Sequence, residues 1–460
     1  MSATPSLFLA FYGDDFTGST DALEQLTLAG IRTALFIKPP IPALLKRFPG
    51  LQAVGVAGMT RSLPPDAMEK ELRPAFKKLK ALGARHVHYK VCSTFDSSPA
   101  IGSIGRAIDV GREIFRAPFV PLLVGAPALG RYCVFGNLFA RFGIGSDGAI
   151  HRLDRHPSVS RHPVTPMTEA DLRLHLAKQT KKEIALFDIL KVALPEPGAR
   201  AALTKILAAK PDVVLFDALN EEQLKRIGSL IDSYASRKRP MFSVGSSGIE
   251  TALGAVFNLR SSRREEAPIK FPGRRSEPPH VGCYGNILVG SGSCSPVTVN
   301  QIIWALKHGF AEVALDVAAL ASSKKSGAEI QRAAAIAGRL LRQGRSVIVH
   351  TGCHGSDKHL ATKLKGRTAA FLGTALGGIL RGALAQGEAR RLCIAGGDTS
   401  SYAARALGIE ALEMIAPLTP GAPLCRAFGP NSAADGCEIV FKGGQVGREN
   451  YFEIVKRGKV

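Results

Sequence analysis

The sequence predicts an α/β protein of two domains with largely parallel sheets. Three features predict it. Short apolar runs alternate with helix-patterned segments up to about residue 255, the stretch 261–280 breaks that rhythm, and the rhythm resumes near residue 286. Strand–helix alternation builds parallel sheets with helices packed on them. A chain of 460 residues suits two or three domains at roughly 150 residues each.

In order, the strand candidates of the first domain are Leu7–Tyr12, Thr33–Ile37, Ala53–Val56, Val87–Val91, Pro121–Val124, Ile184–Phe187, Val213–Phe216 and Met241–Val244. Each is a short apolar or β-branched run bounded by turn residues. Helical patterns fall between them at Ala67–Leu82, Glu169–Lys178 and Glu222–Ala235, with Thr168 and Asp171 as a capping-box variant for the second. The stretch 130–166 is dense in Gly, Arg and His and is expected to form a loop without regular elements. Residues 261–280 read as a linker between a first domain (1–260) and a second (281–460). In the second domain, strands are expected at 286–290, 312–317, 345–350, 391–396 and 438–441.

Composition narrows the function classes. With 45% hydrophobic and 21% charged residues the chain is ordinary for a globular protein. No run approaches the ~18 apolar residues of a membrane span. The N-terminal "LFLAFY" has no basic residue before it and runs into Gly-Asp-Asp, unlike a secretory leader, so a cytoplasmic location is expected. Eight scattered cysteines with no C-x-x-C pair read as reduced thiols. The net charge of +22 is spread along the chain without interleaved aromatics. It therefore favours an anionic small molecule over nucleic acid.

Ligands of open parallel sheets bind beyond the carboxyl ends of the strands, so the loops there carry the chemistry. In the second domain Ser291-Gly-Ser-Cys-Ser-Pro296 opens onto a helix pattern, with Ser295 suited to the N-cap and Pro296 to the first turn. Gly396-Gly397-Asp398-Thr399 does the same, and Lys442-Gly443-Gly444 follows a strand. Small-residue loops at helix N-termini offer free N–H groups to phosphate. No Walker loop is present, and none of these three loops completes G-x-G-x-x-G, since Gly290-Ser-Gly292-Ser-Cys-Ser295 lacks the third glycine, which disfavours a dinucleotide oxidoreductase. In the first domain, "FYGDDFTGSTDAL" (11–23) sets two carboxylates, Asp14 and Asp15, between a strand and a helix. Thr60-Arg61-Ser62 and "YKVCSTFDSSP" (89–99) follow other strands. Arg61 and Lys90 could bind a carboxylate, while hydroxyls and Asp take sugar oxygens. The bland alternative is that Asp14 or Asp15 caps the helix starting near Thr17. "HTGCHGSDKH" (350–359) looks like a metal cluster, but its position after a strand favours a loop near the nucleotide, and no metal site is expected there. His86 and His88 read as structural.

"YGDDFTGSTDAL", "YKVCSTFDSSP", "HPVTPMTEADL", "VLFDALNEE", "SVGSSGIETALG", "LVGSGSCSPVTVNQI", "AGGDTSSYAARALG" and "FKGGQVG" stand in the order found in the four-carbon acid sugar kinases. The chain resembles that family over nearly its whole length. The resemblance implies an ATP- and Mg²⁺-dependent kinase that phosphorylates a hydroxyl of a small sugar acid. It also implies an acid-sugar domain followed by a nucleotide domain, with both sites facing an interdomain cleft. It places substrate contacts at Asp14, Arg61, Lys90, Cys92, Ser93 and Thr94, and catalysis at Asp14 and Asp15. Nucleotide contacts fall at Ser293, Ser295, Gly396, Gly397, Asp398, Thr399, Gly443 and Gly444. The C-S-T-F-D form resembles the branch acting on 3-oxo acids. With "APALGRY" and "HRLDRHPSVSRHPVTPM" it is most similar to the 3-oxo-isoapionate kinases, whereas 3-oxo-tetronate, D-threonate and D-erythronate are the alternatives. One departure is Ser103, where that branch usually has Asn in G-N-I-G. Partners are expected to be the acid and ATP, not nucleic acid or membrane, and a homo-oligomer is compatible with such a chain. A non-catalytic anion-binding or nucleic-acid-binding protein is the rival class.

Overall fold

The computed structural model describes residues 7–143, 147–162, 164–263, 285–293, 295–352 and 368–458, without the side chains of 261–263, 368–369 and 398. The chain divides into two compact units, Met1–Lys270 and Phe271–Val460.

The first unit holds β1 (Leu9–Gly13), β2 (Thr33–Phe36), β3 (Ala53–Ala57), β4 (His86–Lys90), β5 (Val120–Leu123), β6 (Arg131–Val134), β7 (Asn137–Arg141), β8 (Ile150–Arg152), β9 (Ile184–Phe187), β10 (Val213–Phe216) and β11 (Met241–Gly245). Its main sheet runs β2-β3-β1-β4-β11-β5-β10-β9, parallel throughout. Parallel strands are covered on both faces, which is why "LAFYG" and "AVGVA" are unbroken apolar runs and wholly buried. From β1 the chain proceeds to β2 and β3 on one side, and from β4 to β5 on the other. The boundary between β1 and β4 is thus a topological switch point, where ligands of open sheets bind.

Two expectations need correction here. The stretch 130–166 does contain regular structure: β6, β7 and β8 form a small antiparallel sheet. Only alternate positions of β6 and β7 are buried, and the buried places of β6 go to Arg131 and Cys133. The period-two signal that marks a strand is therefore hidden among polar residues. The helix expected from Glu169 begins at Leu172 and ends at Ala177, and Asp171 is its N-cap, accepting from the Arg173 amide at 2.9 Å. Thr168 is not the cap.

The second unit contains β12 (Leu288–Ser291), β13 (Ala311–Ala314), β14 (Val347–His350), β15 (Arg391–Ala395), β16 (Ala411–Thr419), β17 (Ala422–Phe428) and β18 (Glu438–Lys442). Its strands run β13-β14-β12-β15-β18-β17-β16. The first five are mutually parallel, and β17 and β16 add antiparallel to the end. The helix Gly248–Arg263 runs three residues into the stretch read as a linker; 264–280 lie outside the described residues. Among the described residues no helix is long and apolar enough to cross a membrane.

Candidate active site

In the first unit the switch point gathers three loops. The Asp14 amide donates to Lys90 O at 2.8 Å, the Arg61 amide to Asp14 O at 3.0 Å, and the Gly58 amide to Gly13 O at 2.9 Å. Backbone bonds thus tie together the segments carrying Asp14, Arg61 and Lys90, as the sequence reading expected of loops after parallel strands.

The two adjacent carboxylates have different environments. Asp15 sits in extended conformation as N-cap of the helix Phe16–Leu28. It accepts from the Gly18 amide at 2.7 Å and the Thr17 hydroxyl at 2.8 Å, and pairs with Arg61 Nη1 at 2.8 Å. The bland capping reading therefore describes Asp15. Asp14 is buried, and its Oδ1 has no hydrogen-bond partner. Burial and the Asp15 charge push its carboxyl up to about 8, against the pull of Arg61 and Lys90. Such a group can take a proton near neutral pH and has an oxygen free to do so.

Lys90 is also buried. Its ammonium lies 3.2 Å from Asp21 Oδ2 and donates to Val91 O at 3.1 Å. Burial alone would lower its pKa, but Asp21, Glu250, Asp15 and Asp14 outweigh that and hold it raised. Sequence reasoning missed Asp21 and Glu250. Their only signal was a carboxylate within an apolar helical stretch, at "STDAL" and "GIETAL". Glu250 is fully buried with both oxygens unpartnered, and burial pushes it up to about 8. His88 is 3.6 Å from it and bonded to Ser243; burial, then Lys90, pushes that imidazole down to about 3. His86 pairs with Asp232 at 3.0 Å.

The loop after β4 carries Cys92, Ser93 and Thr94. Cys92 Sγ is 3.0 Å from Thr94 Oγ1, and burial, then Asp96, pushes its thiol up to about 12, so it is no nucleophile at neutral pH. Phe95 holds φ 57, a left-handed conformation that non-glycine residues adopt at a cost. Ser97, bonded to His175 at 2.9 Å and Gln179 at 3.0 Å, anchors the bend. Ser103 caps the helix Ile104–Phe115, its hydroxyl accepting from the Arg106 amide at 3.1 Å. Ser and Asn rank alike as N-caps, so this departure from G-N-I-G falls on a capping position.

In the second unit β12, β15 and β18 are neighbours, so the three glycine loops lie on one sheet edge. Ser295 is the N-cap of Pro296–Lys307, yet its side chain makes no capping bond and its buried Oγ has no partner. The helix Gly397–Leu407 begins after Gly396 (φ 132), also without a side-chain cap. Two helix N-termini thus present uncapped N–H groups. The loops are drawn close. A β-carbon at Gly292 would lie 2.8 Å from Thr399 Oγ1, and one at Gly444 would lie 2.9 Å from Ser295 Cβ and 3.0 Å from Ser293 Oγ. Behind Gly443 and Gly444, Lys442 donates to the Thr298 hydroxyl at 2.9 Å, and that hydroxyl donates to Gly444 O at 3.0 Å. Gln301 Nε2 donates to Val446, Gly447 and Arg448 carbonyls at 3.0, 3.0 and 2.9 Å. Uncapped N-termini, an orphaned hydroxyl and a cradle that a β-carbon would fill suit a nucleotide's phosphates. Gly397 and Asp398 open the second helix; the Asp398 side chain lies outside the described residues. His350 ends β14 and bonds Glu312 at 2.9 Å, whereas Cys353, His354, Asp357 and His359 lie outside the described residues. Among the described residues no group of three His, Cys, Asp or Glu is placed to hold a metal.

Comparison with known proteins agrees with this division. Residues 9–253 match the family described as a sugar-binding N-terminal domain, and residues 288–452 match a nucleotide-binding C-terminal domain. The chain is 44% identical to a 3-oxo-isoapionate kinase of Paraburkholderia graminis, covering 99% of this chain and 95% of that one. It is 31% identical to a 3-oxo-tetronate kinase of Methylobacterium radiotolerans, covering 97% and 98%. The crystal structure of Haemophilus influenzae protein HI1011 shares the fold, with a TM-score of 0.66 at 21% identity over 97% and 99% of the two chains. A sugar-binding unit followed by a nucleotide-binding unit, matched over nearly its whole length by kinases of 3-oxo acids, places this chain in the four-carbon acid sugar kinase family, enzymes that phosphorylate small acid sugars.

Proposed function

We propose that the acceptor is 3-oxo-isoapionate, phosphorylated from ATP to its 4-phosphate. The observation that carries this choice is the 44% identity to the Paraburkholderia graminis enzyme across 99% of the chain, against 31% for the 3-oxo-tetronate kinase. In the proposed mechanism the Asp14 carboxylate accepts the proton of the attacking hydroxyl as its oxygen bonds to the γ-phosphorus and ADP departs. Asp15 holds the loop through its cap and its pair with Arg61, and Lys90 together with the Cys92–Thr94 segment borders the acid. The glycine loops, from Ser293 and Ser295, Gly396 to Thr399, and Gly443 to Gly444, cradle the phosphates. Mg²⁺ is expected to arrive with ATP and neutralise phosphate charge. Direct transfer demands that the reacting atoms come within about 3–3.5 Å, so the shared cleft expected from the sequence is part of this proposal. A cytoplasmic setting, where ATP is supplied, belongs to it as well.

The test is ADP release by the purified protein with Mg-ATP and a panel of 3-oxo-isoapionate, 3-oxo-tetronates, D-threonate and D-erythronate. The highest kcat/KM is expected for 3-oxo-isoapionate, with mass spectrometry and phosphorus NMR placing the phosphate on O4. A higher kcat/KM for any other acid overturns the substrate assignment.

A further inference from the structure

We propose that Arg131 reads the carboxylate of the acid sugar, an assignment that rests on the acid-sugar reading of the first unit. The two cations expected to do so from sequence are already engaged. Arg61 is paired with Asp15 at 2.8 Å and Lys90 with Asp21 at 3.2 Å, so a substrate anion would have to share each of them with a protein carboxylate. Arg131 is only 6% exposed and, among the described residues, has no carboxylate within ion-pair distance. Its guanidinium is held from one side. Nη1 donates to the carbonyls of Leu129 at 2.9 Å, Gly130 at 3.3 Å and Arg141 at 3.1 Å. Nε is buried and has no partner, and among the described residues Nη2 makes no hydrogen bond either. The Nε–Nη2 edge is the one that meets a carboxylate with two parallel bonds.

The position in the fold agrees. Arg131 opens β6, on the segment that leaves the carboxyl end of β5. In the sheet order β1-β4-β11-β5, that end lies on the same edge as the loops of Asp14 and Lys90. The loop after β11 joins the two, since the Ser246 hydroxyl donates to Val124 O at 2.8 Å. The carboxylates of Asp96, on the loop after β4, and Asp21 lie close enough for their charges to act on Arg131, and the neutral Cys92 side chain of that loop is a neighbour as well. A brace for the loop between residues 129 and 141 would account for Nη1 alone. It leaves a buried cation with three of its five N–H donors unbonded among the described residues, a costly arrangement that an anionic ligand would relieve.

The experiment compares Arg131→Gln and Arg131→Lys with wild type in steady-state kinetics, varying acid and ATP separately. A charge-assisted contact of this kind corresponds to a KM for the acid raised about 10- to 100-fold in Arg131→Gln. The KM for ATP should stay within about twofold, and Arg131→Lys should recover part of the loss. The upward shift in melting temperature that the acid gives wild type should shrink in Arg131→Gln. An unchanged KM for the acid overturns the proposal. So does an equal rise in both KM values, or a fall in kcat with lowered melting temperature that Arg131→Lys shares, since those are the marks of a brace. If Arg131→Gln does not fold, Arg131→Lys carries the test: a selective rise in the acid KM supports the proposal, and unchanged kinetics overturn it. A wild-type preference for another acid of the panel overturns only the substrate assignment, and Arg131 is then tested with that acid.

Discussion

Replacing Asp14 by Asn should remove most activity and at the same time stabilise the first unit, by an amount that depends on pH. Burial and the neighbouring Asp15 raise the folded carboxyl from 3.8 to about 8. Between those values the native state holds a proton that the unfolded chain has released, so native stability falls as pH rises through the window. Below pH 4 both states are protonated and the penalty vanishes; above pH 8 it is complete. At ~1.4 kcal/mol per pKa unit the complete penalty is ~6 kcal/mol, of which ~5 kcal/mol is in place at pH 8, and Asn recovers that less ~1–3 kcal/mol for a buried amide without full partners. A net gain of ~2–4 kcal/mol at pH 8 corresponds to about 5–15 °C for a unit of this size. Calorimetry of wild type and Asp14→Asn at pH 4, 6 and 8 should show a gap in melting temperature that opens with pH. Turnover should fall by ~10²-fold or more. Wild-type kcat/KM should rise tenfold per pH unit up to about 8, and the variant's residual rate should lack that rise. A pH-independent gap, or a variant keeping most of its turnover, refutes the reasoning.

Asp15→Ala should act in the opposite sense on stability, because it removes a helix cap and one ion-pair partner of Arg61. A loss of ~1–3 kcal/mol is expected, measured as a lower melting temperature at pH 8, where Asp14→Asn raises it; equal signs would contradict the division of labour. Gly444→Ala places a methyl group 2.9 Å from Ser295 Cβ and 3.0 Å from Ser293 Oγ. It should raise the KM for ATP about tenfold or more while leaving that for the acid within twofold; a selective loss on the acid side would remove Gly444 from the nucleotide site.

The acidic turn and the three glycine loops were legible because they are local. Glycines and small polar residues following an apolar strand announce a turn whatever packs around them, and the structure sets them at strand ends. The sheet β6–β8 was not legible, since Arg131 and Cys133 take buried places that in most strands are aliphatic. Asp21 and Glu250 were missed for a related reason: each is a buried carboxylate on a helix, and the groups that give it a role, Lys90 for Asp21 and His88 for Glu250, lie far away in sequence.

By itself the sequence determined the fold class, the two-unit order and the turns that follow the parallel strands, because periodicity and turn residues act over a few positions. Tertiary structure alone decided which carboxylate is capped and which is left open. It likewise decided which cations are already paired with protein carboxylates, Arg61 with Asp15 and Lys90 with Asp21. Adjacent residues such as Asp14 and Asp15 are chemically identical in the unfolded chain, and their difference comes from partners: Asp15 takes the Gly18 amide, the Thr17 hydroxyl and Arg61, whereas Asp14 Oδ1 has none. Charge state follows from such surroundings, and they exist only once the chain is folded.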